Sequence, residues 1–232
     1  MGDALGLAGC QCPWHLLEFR VNLPEVLRVS IEQSALLYVH GFNSSPASVK
    51  ASQLVRLFAD LGLADRLQVP ALHHDPRRAI AQLEQAIAEL GQPVLMGSSL
   101  GGYYSTYLAE RHQLKAILLN PAVRAYRLAE PLVGQQQNLP NGDTWQMTTD
   151  HLAGFKALNV SRPSLSRYQV WLQTGDETLD YRDAEAFYQG SELHVLPGGN
   201  HGFEHFVSHL PAMLAFAGFD ADLLSHYDLS TL

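Results

Sequence analysis

Six short, largely apolar runs punctuate the chain, at 35–40, 67–72, 93–98, 115–120, 168–174 and 192–197. Each is followed by a Gly- or Pro-bearing turn and then by a longer stretch with helical spacing. Runs this short, without polar residues alternating through them, predict strands buried on both faces, as in a parallel sheet. Ser45-Pro46 and Asp75-Pro76 each set a capping residue before a proline at the first helical position, predicting helices to about residues 61 and 90. In the second of these, Ile80, Leu83 and Ile87 share one face. Further helices are expected from just after Ser98 to about 112, from Asp180 to about 188, and from Gly202 to about 217. Strand–helix alternation of this kind predicts a mostly parallel, doubly wound α/β sheet.

Two stretches break that rhythm. Residues 1–34 precede the first expected strand and read as an N-terminal extension, in which 16–23 fits a strand or a helix equally. Residues 121–166 separate two strands by far more chain than a crossover needs. An insertion there is expected to sit over the carboxyl ends of the strands, where such sheets hold their active sites. It reads as a small cap with helices near 125–134 and 148–158, inserted into one domain spanning 35–232.

Composition narrows the function classes. The 232 residues are 47% hydrophobic, ample for one core, and carry a formal net charge of −8. A nucleic-acid binder needs a basic footprint to neutralise phosphates, so none is expected as partner. No apolar run reaches the length of a membrane span, and residues 1–12 lack the basic start of a secretory signal. The two cysteines, Cys10 and Cys12, lie too close together for a structural staple, and no second pair completes a zinc site. They read as incidental thiols in a reducing cytoplasm.

The chemistry is concentrated at strand ends. After the third run stands Gly97-Ser98-Ser99-Leu100-Gly101, a G-x-S-x-G between a strand and a helix. A serine on so tight a turn has strained backbone angles, and the residues two before and two after it crowd together, so both must be small. That condition selects Ser99 as nucleophile, because Ser98 would have Met96 and Leu100 at the crowded positions. The first run ends in His40-Gly41-Phe42. There the backbone N–H of Phe42, with that of Leu100 after the nucleophile, is the candidate oxyanion hole. His40 is expected to tether loops.

Acid and base should follow the nucleophile in that order. Asp176, the first carboxylate after the fifth run, is the candidate acid, with Asp180 the weaker alternative because it has work as a helix cap. His201, set among Gly198, Gly199 and Gly202, is the candidate base. His201-Gly202-Phe203-Glu204-His205 also matches H-x-x-E-H, a zinc pattern that requires one regular helical turn. The glycines argue against such a turn, so no metal is expected. His73-His74-Asp75 likewise reads as a turn and cap.

Taken together, the segments 40–46, 97–104, 119–123, 173–177 and 198–201 resemble the YqiA-type bacterial esterases of the α/β-hydrolase superfamily, over residues 36–219. The resemblance implies a compact α/β-hydrolase fold and a cytoplasmic, cofactor-free serine hydrolase acting on small-molecule esters or thioesters, acyl-CoA included. By the same match Ser99, Asp176 and His201 form a catalytic triad. Members of that family begin almost at the first strand, so residues 1–34 are an added element or an upstream translation start. Acyl transfer or cofactor-free peroxidase chemistry on the same triad, and a non-catalytic binding protein of this fold, are the competing readings. Tyr126, Trp145, Met147 and Phe155 are candidates for an apolar acyl site, or for packing within the cap.

Overall fold

Each of the six apolar runs contributes a strand to one sheet in the computed structural model, which describes residues 34–137, 142–224 and 227–232, although the run 67–72 is strand over only its first two residues. In chain order the strands are β1 (Leu36–Val39), β2 (Leu67–Gln68), β3 (Val94–Ser98), β4 (Ala116–Leu119), a separate hairpin of β5 (Gly134–Gln137) and β6 (Thr144–Met147), then β7 (Tyr168–Gln173) and β8 (Glu192–Leu196). The main sheet runs β2-β1-β3-β4-β7-β8, with every neighbouring pair parallel. The helices are α1 (Val49–Asp60), α2 (Pro76–Leu90), α3 (Leu100–His112), α4 (Ala125–Ala129), α5 (Thr149–Ala157), α6 (Tyr181–Phe187) and α7 (Phe206–Phe216).

β1, β3, β4 and β7 are buried along their whole length, as their apolar runs predict, whereas β2 and β8 are edge strands with a neighbour on one side and are only partly buried, contrary to the expectation. Leu37, Val39, Leu95, Leu118, Val170 and Leu172 point to one core, shared with Leu83 of α2 and Tyr103, Tyr104 and Leu108 of α3. The alternate positions Leu36, Tyr38, Met96, Ile117, Leu119 and Trp171 point to the other, shared with Leu54, Leu57 and Phe58 of α1 and Leu210 and Met213 of α7. The fold is therefore a doubly wound α/β sheet. Among the described residues, no helix is long and apolar enough to cross a membrane.

Two capping expectations hold. Asp75 accepts the N–H of Arg77 at 2.8 Å with Pro76 at the first helical position, and Asp180 accepts the N–H of Arg182 at 3.1 Å. Two helix starts differ. Ser45 Oγ accepts the N–H of Ala47 and its carbonyl accepts that of Ser48, each at 3.1 Å, so 45–48 form a turn and α1 begins only at Val49. At the other end, Phe203 and His205 have φ of 63° and 58°, which a right-handed helix excludes, so α7 starts at Phe206 rather than Gly202.

Within 121–166 the expected first helix is cut to α4 plus a single 3-10 turn, Glu130–Leu132, and the antiparallel β5–β6 hairpin follows. The second is α5, opened by Thr148, whose side chain accepts the N–H of His151. The N-terminal extension up to residue 33, with Cys10, Cys12 and the run 16–23, lies outside the described residues.

Candidate active site

Ser99 stands between the last residue of β3 and the first of α3 with φ 55° and ψ −119°. A non-glycine residue held there costs on the order of 1–3 kcal/mol, which the surrounding structure must supply. Its N–H donates to the carbonyl of Leu119 at 3.0 Å, and its carbonyl accepts from Gly102 at 2.9 Å and from Ala122 at 3.0 Å. The crowding expected around the turn is present. A Cβ on Gly97 would lie 2.5 Å from Ser105 Oγ and against the carbonyl of Gly101. A Cβ on Gly101 would overlap the carbonyl of Val39 and approach His40 O to 2.8 Å. Because the obstacle is central-strand backbone, Gly101→Ala is expected to cost about 3 kcal/mol or more. Urea denaturation checks this, and a loss under 1 kcal/mol would show that the elbow has room.

From the opposite side, the loops after β7 and β8 bring two side chains to this serine. Ser99 Oγ donates to His201 Nε2 at 2.9 Å, and His201 Nδ1–H donates to Asp176, 2.8 Å from Oδ2 and 3.0 Å from Oδ1. Asp176 Oδ1 also accepts the N–H groups of Leu179 at 2.8 Å and Thr178 at 2.9 Å. Burial, with 2% of the side chain exposed, pushes the Asp176 carboxyl up. The hydrogen bond from His201 and the two N–H groups outweigh it, holding the carboxyl below the usual range. Asp180, the alternative acid, is occupied at the N-terminus of α6.

Four residues that sequence reasoning passed over hold the histidine loop. Gln173 Oε1 accepts from the N–H of Asn200 at 3.1 Å and of Glu204 at 2.9 Å, and its Nε2 donates to Glu204 O at 2.8 Å. Asn120 joins the adjacent strands. Its Oδ1 accepts the N–H of Gln173 at 2.9 Å, and its Nδ2 donates to Asn200 O at 3.0 Å. Both side chains are buried. Glu177 Oε2 accepts the N–H of His201 itself at 3.0 Å. The fourth, Lys50 of α1, donates from Nζ to Gly202 O at 2.6 Å.

Burial pulls the Lys50 pKa from 10.5 down to about 8. Between those values the unfolded chain holds a proton that the folded protein has released, so this group makes stability rise with pH across that window. Denaturation midpoints at pH 8 and pH 10 should therefore rise more, or fall less, in wild type than in Lys50→Met, which has no such titration. Identical pH dependence in the two proteins would contradict the assignment.

The loop after β1 crosses above the serine. A Cβ on Gly41 would come within 3.3 Å of Ser99 Cβ and 3.9 Å of its Oγ. Phe42 is the next residue, and Leu100 holds the first position of α3, where an N–H has no acceptor within its own helix. His40 ties the loop down: Nδ1 donates to Gly41 O at 3.0 Å, and Nε2 accepts the N–H of Leu72 at 3.2 Å. Burial lowers its pKa, in keeping with the neutral ring that this pairing requires.

Phe42 and Leu100 open onto a cavity of about 720 Å³. Of the four side chains considered for an acyl site, only Trp145 lines it. Met147 and Phe155 are core residues, and Tyr126 lines a separate groove beside α4 and α5. Trp145 binds the β5–β6 hairpin to the loop after β1: its indole N–H donates to Asn43 Oδ1 at 2.9 Å, and the Phe42 ring meets it edge-on at 5.9 Å.

The H-x-x-E-H pattern does not lie on a helix. His201 is in a turn, and His205 precedes α7 with a left-handed backbone. Among the described residues, no group of three or more His, Cys, Asp or Glu is arranged to hold a metal ion.

Comparison with known proteins agrees with this architecture. The model of an uncharacterised protein family, UPF0227, matches residues 35–218. The UPF0227 protein YcfP of Salmonella gallinarum is 25% identical over 187 residues, covering 78% of this chain and 97% of that protein. Among solved structures, Est1E of Butyrivibrio proteoclasticus with bound ferulic acid superposes with a TM-score of 0.59 at 14% identity, over 83% of this chain and 90% of the other. The alpha/beta hydrolase domain-containing protein 10 of mouse gives 0.58 at 12% identity, over 84% and 90%. At those identities the likeness establishes the α/β-hydrolase fold.

Proposed function

The chain belongs to the UPF0227 family, and from the site its fold carries we propose that it is a serine hydrolase of carboxylic ester or thioester bonds, working through Ser99, His201 and Asp176. The observation that carries this reading is the unbroken relay of hydrogen bonds from Ser99 Oγ through both ring nitrogens of His201 to Asp176. As the Ser99 oxygen bonds to the acyl carbon, its proton passes to His201 Nε2. The N–H groups of Phe42 and Leu100, the second reinforced by the N-terminal end of α3, stabilise the negative charge that develops on the carbonyl oxygen. The bond to the alcohol or thiol then breaks and His201 returns the proton to the leaving group. Water, deprotonated by the same histidine, releases the acid from the acyl-enzyme. Asp176 stays ionised throughout, fixing the tautomer and stabilising the imidazolium.

A cytoplasmic setting belongs to the same reading, supported by the sparse cysteine usage of the sequence. Pre-steady-state kinetics tests the acyl-enzyme. Mixing with p-nitrophenyl acetate should release up to one equivalent of p-nitrophenol in a burst, provided deacylation is the slower step. No turnover above the buffer rate would overturn the proposal.

A further inference from the structure

We infer that the cavity beside Phe42 and Leu100 is an acyl pocket selective for uncharged acyl groups bearing hydroxyl or similar hydrogen-bonding substituents, with His74 on Trp145 as its specificity element; this rests on the serine-hydrolase reading. The first step is which half of the substrate enters. Around a carbon bonded to Ser99 Oγ, the oxyanion points to the Phe42 and Leu100 amides and the leaving group points to His201, which protonates it. Ser99, His201 and Asp176 do not line the cavity, but Phe42 and Leu100 do, as does Gly41, where a Cβ would lie 3.9 Å from Ser99 Oγ; the cavity therefore opens on the oxyanion side of the serine, away from the histidine, and takes the remaining substituent, the acyl group.

Its chemistry is not that of an alkyl tunnel. Beyond Phe42 and Leu100 the wall sets apolar Leu72, Tyr104 and Trp145 beside Thr144, His73 and His74, with one carboxylate (Asp143) and no lysine or arginine among the described lining residues. An anionic acyl group meets no cation there. Asn43 is already engaged by Trp145 and Gln136, so the groups a plain alkyl chain would strip of water are the ring nitrogens of His73 and His74, at about 1–3 kcal/mol for each left unpaired. A site built around such groups rejects the analogue that lacks the partner.

The histidines supply the donors. His73 Nδ1 accepts the N–H of Asp75 at 2.9 Å, which puts the proton of the neutral ring on Nε2. His74 lies between His73, at 4.1 Å, and Trp145, on which it stacks at 4.6 Å and 20°. Partial burial, with His73 and His151 as neighbours, holds the His74 pKa below the ordinary histidine value, so its ring is neutral near pH 7 and offers both a donor and an acceptor.

The test compares kcat/KM for two matched pairs of p-nitrophenyl esters, butanoate with 3-hydroxybutanoate and 3-phenylpropanoate with 3-(4-hydroxyphenyl)propanoate. The expected result is a preference of fivefold or more for the hydroxylated ester in at least one pair, lost in His74→Phe, which keeps the stack but removes both ring nitrogens. A smaller preference in both pairs, or one that survives in His74→Phe, overturns the proposal; the wild-type comparison stands even if the variant folds poorly. Turnover of none of the four esters would instead overturn the serine-hydrolase reading beneath it, a result distinct from turnover without selection.

Discussion

Ser99→Ala is expected to lower kcat on p-nitrophenyl acetate by about 10⁴-fold or more, at little cost in stability. The Ser99 hydroxyl is the group that would bond to the acyl carbon, and the alanine variant has nothing to replace it. Its Cβ stays where it is, so the φ of 55° and the backbone bonds to Leu119, Gly102 and Ala122 are kept. What the fold loses is one half-exposed hydrogen bond to His201, worth about 1 kcal/mol. Residual catalysis would come from binding and the oxyanion amides alone. The same comparison separates the two serines of the elbow. Ser98 is buried within β3, so Ser98→Ala should leave kcat within about tenfold of wild type. Near-parental activity in Ser99→Ala would remove the nucleophile assignment.

Asp176→Asn should come next in size, with kcat reduced by about 10⁴-fold while the fold survives. The reason is local. Asp176 Oδ1 accepts the N–H groups of Thr178 and Leu179, so the oxygen of an asparagine must take that position to keep both bonds. Its NH₂ then occupies the place of Oδ2 and faces His201 Nδ1, 2.8 Å away. Nδ1 must become an acceptor, the ring proton moves to Nε2, and His201 can no longer receive the proton of Ser99. Steady-state kinetics gives the magnitude, and nitrogen NMR of the imidazole reports the tautomer. A variant keeping more than a tenth of wild-type kcat would show that the carboxylate does not set the tautomer.

The parts of this site that could be read from the sequence are those fixed by local sterics. A turn that tolerates nothing larger than glycine at two positions around a serine leaves a mark in any sequence, and Gly97 and Gly101 are that mark. The central strands announce themselves by largely apolar runs, which marked where the acid loop begins, whereas β8, before the base loop, is a partly exposed edge strand recognisable only by its short run and the Gly198-Gly199 that follows. Asn120 and Gln173 were harder to see because their roles are long-range. Each is a polar residue at or next to the end of a largely apolar run, and only the pairing of β4 with β7 shows that together they hold the histidine loop. A buried amide closing a strand was the available signal. The β5–β6 hairpin has little signature because Gln135, Gln136 and Gln137 lack the β-branched or aromatic character that marks a strand. The start of α7 depended on positive φ at Phe203 and His205, residue types that give no hint of it.

Labelling with a fluorophosphonate probe, followed by peptide mapping, reads the nucleophile itself, because phosphonylation requires a serine whose proton a neighbouring base can take. One equivalent of label is expected, carried on Ser99, absent from Ser99→Ala and strongly slowed in His201→Ala. Label on any other residue, or native protein that stays unlabelled, would contradict the serine-hydrolase reading.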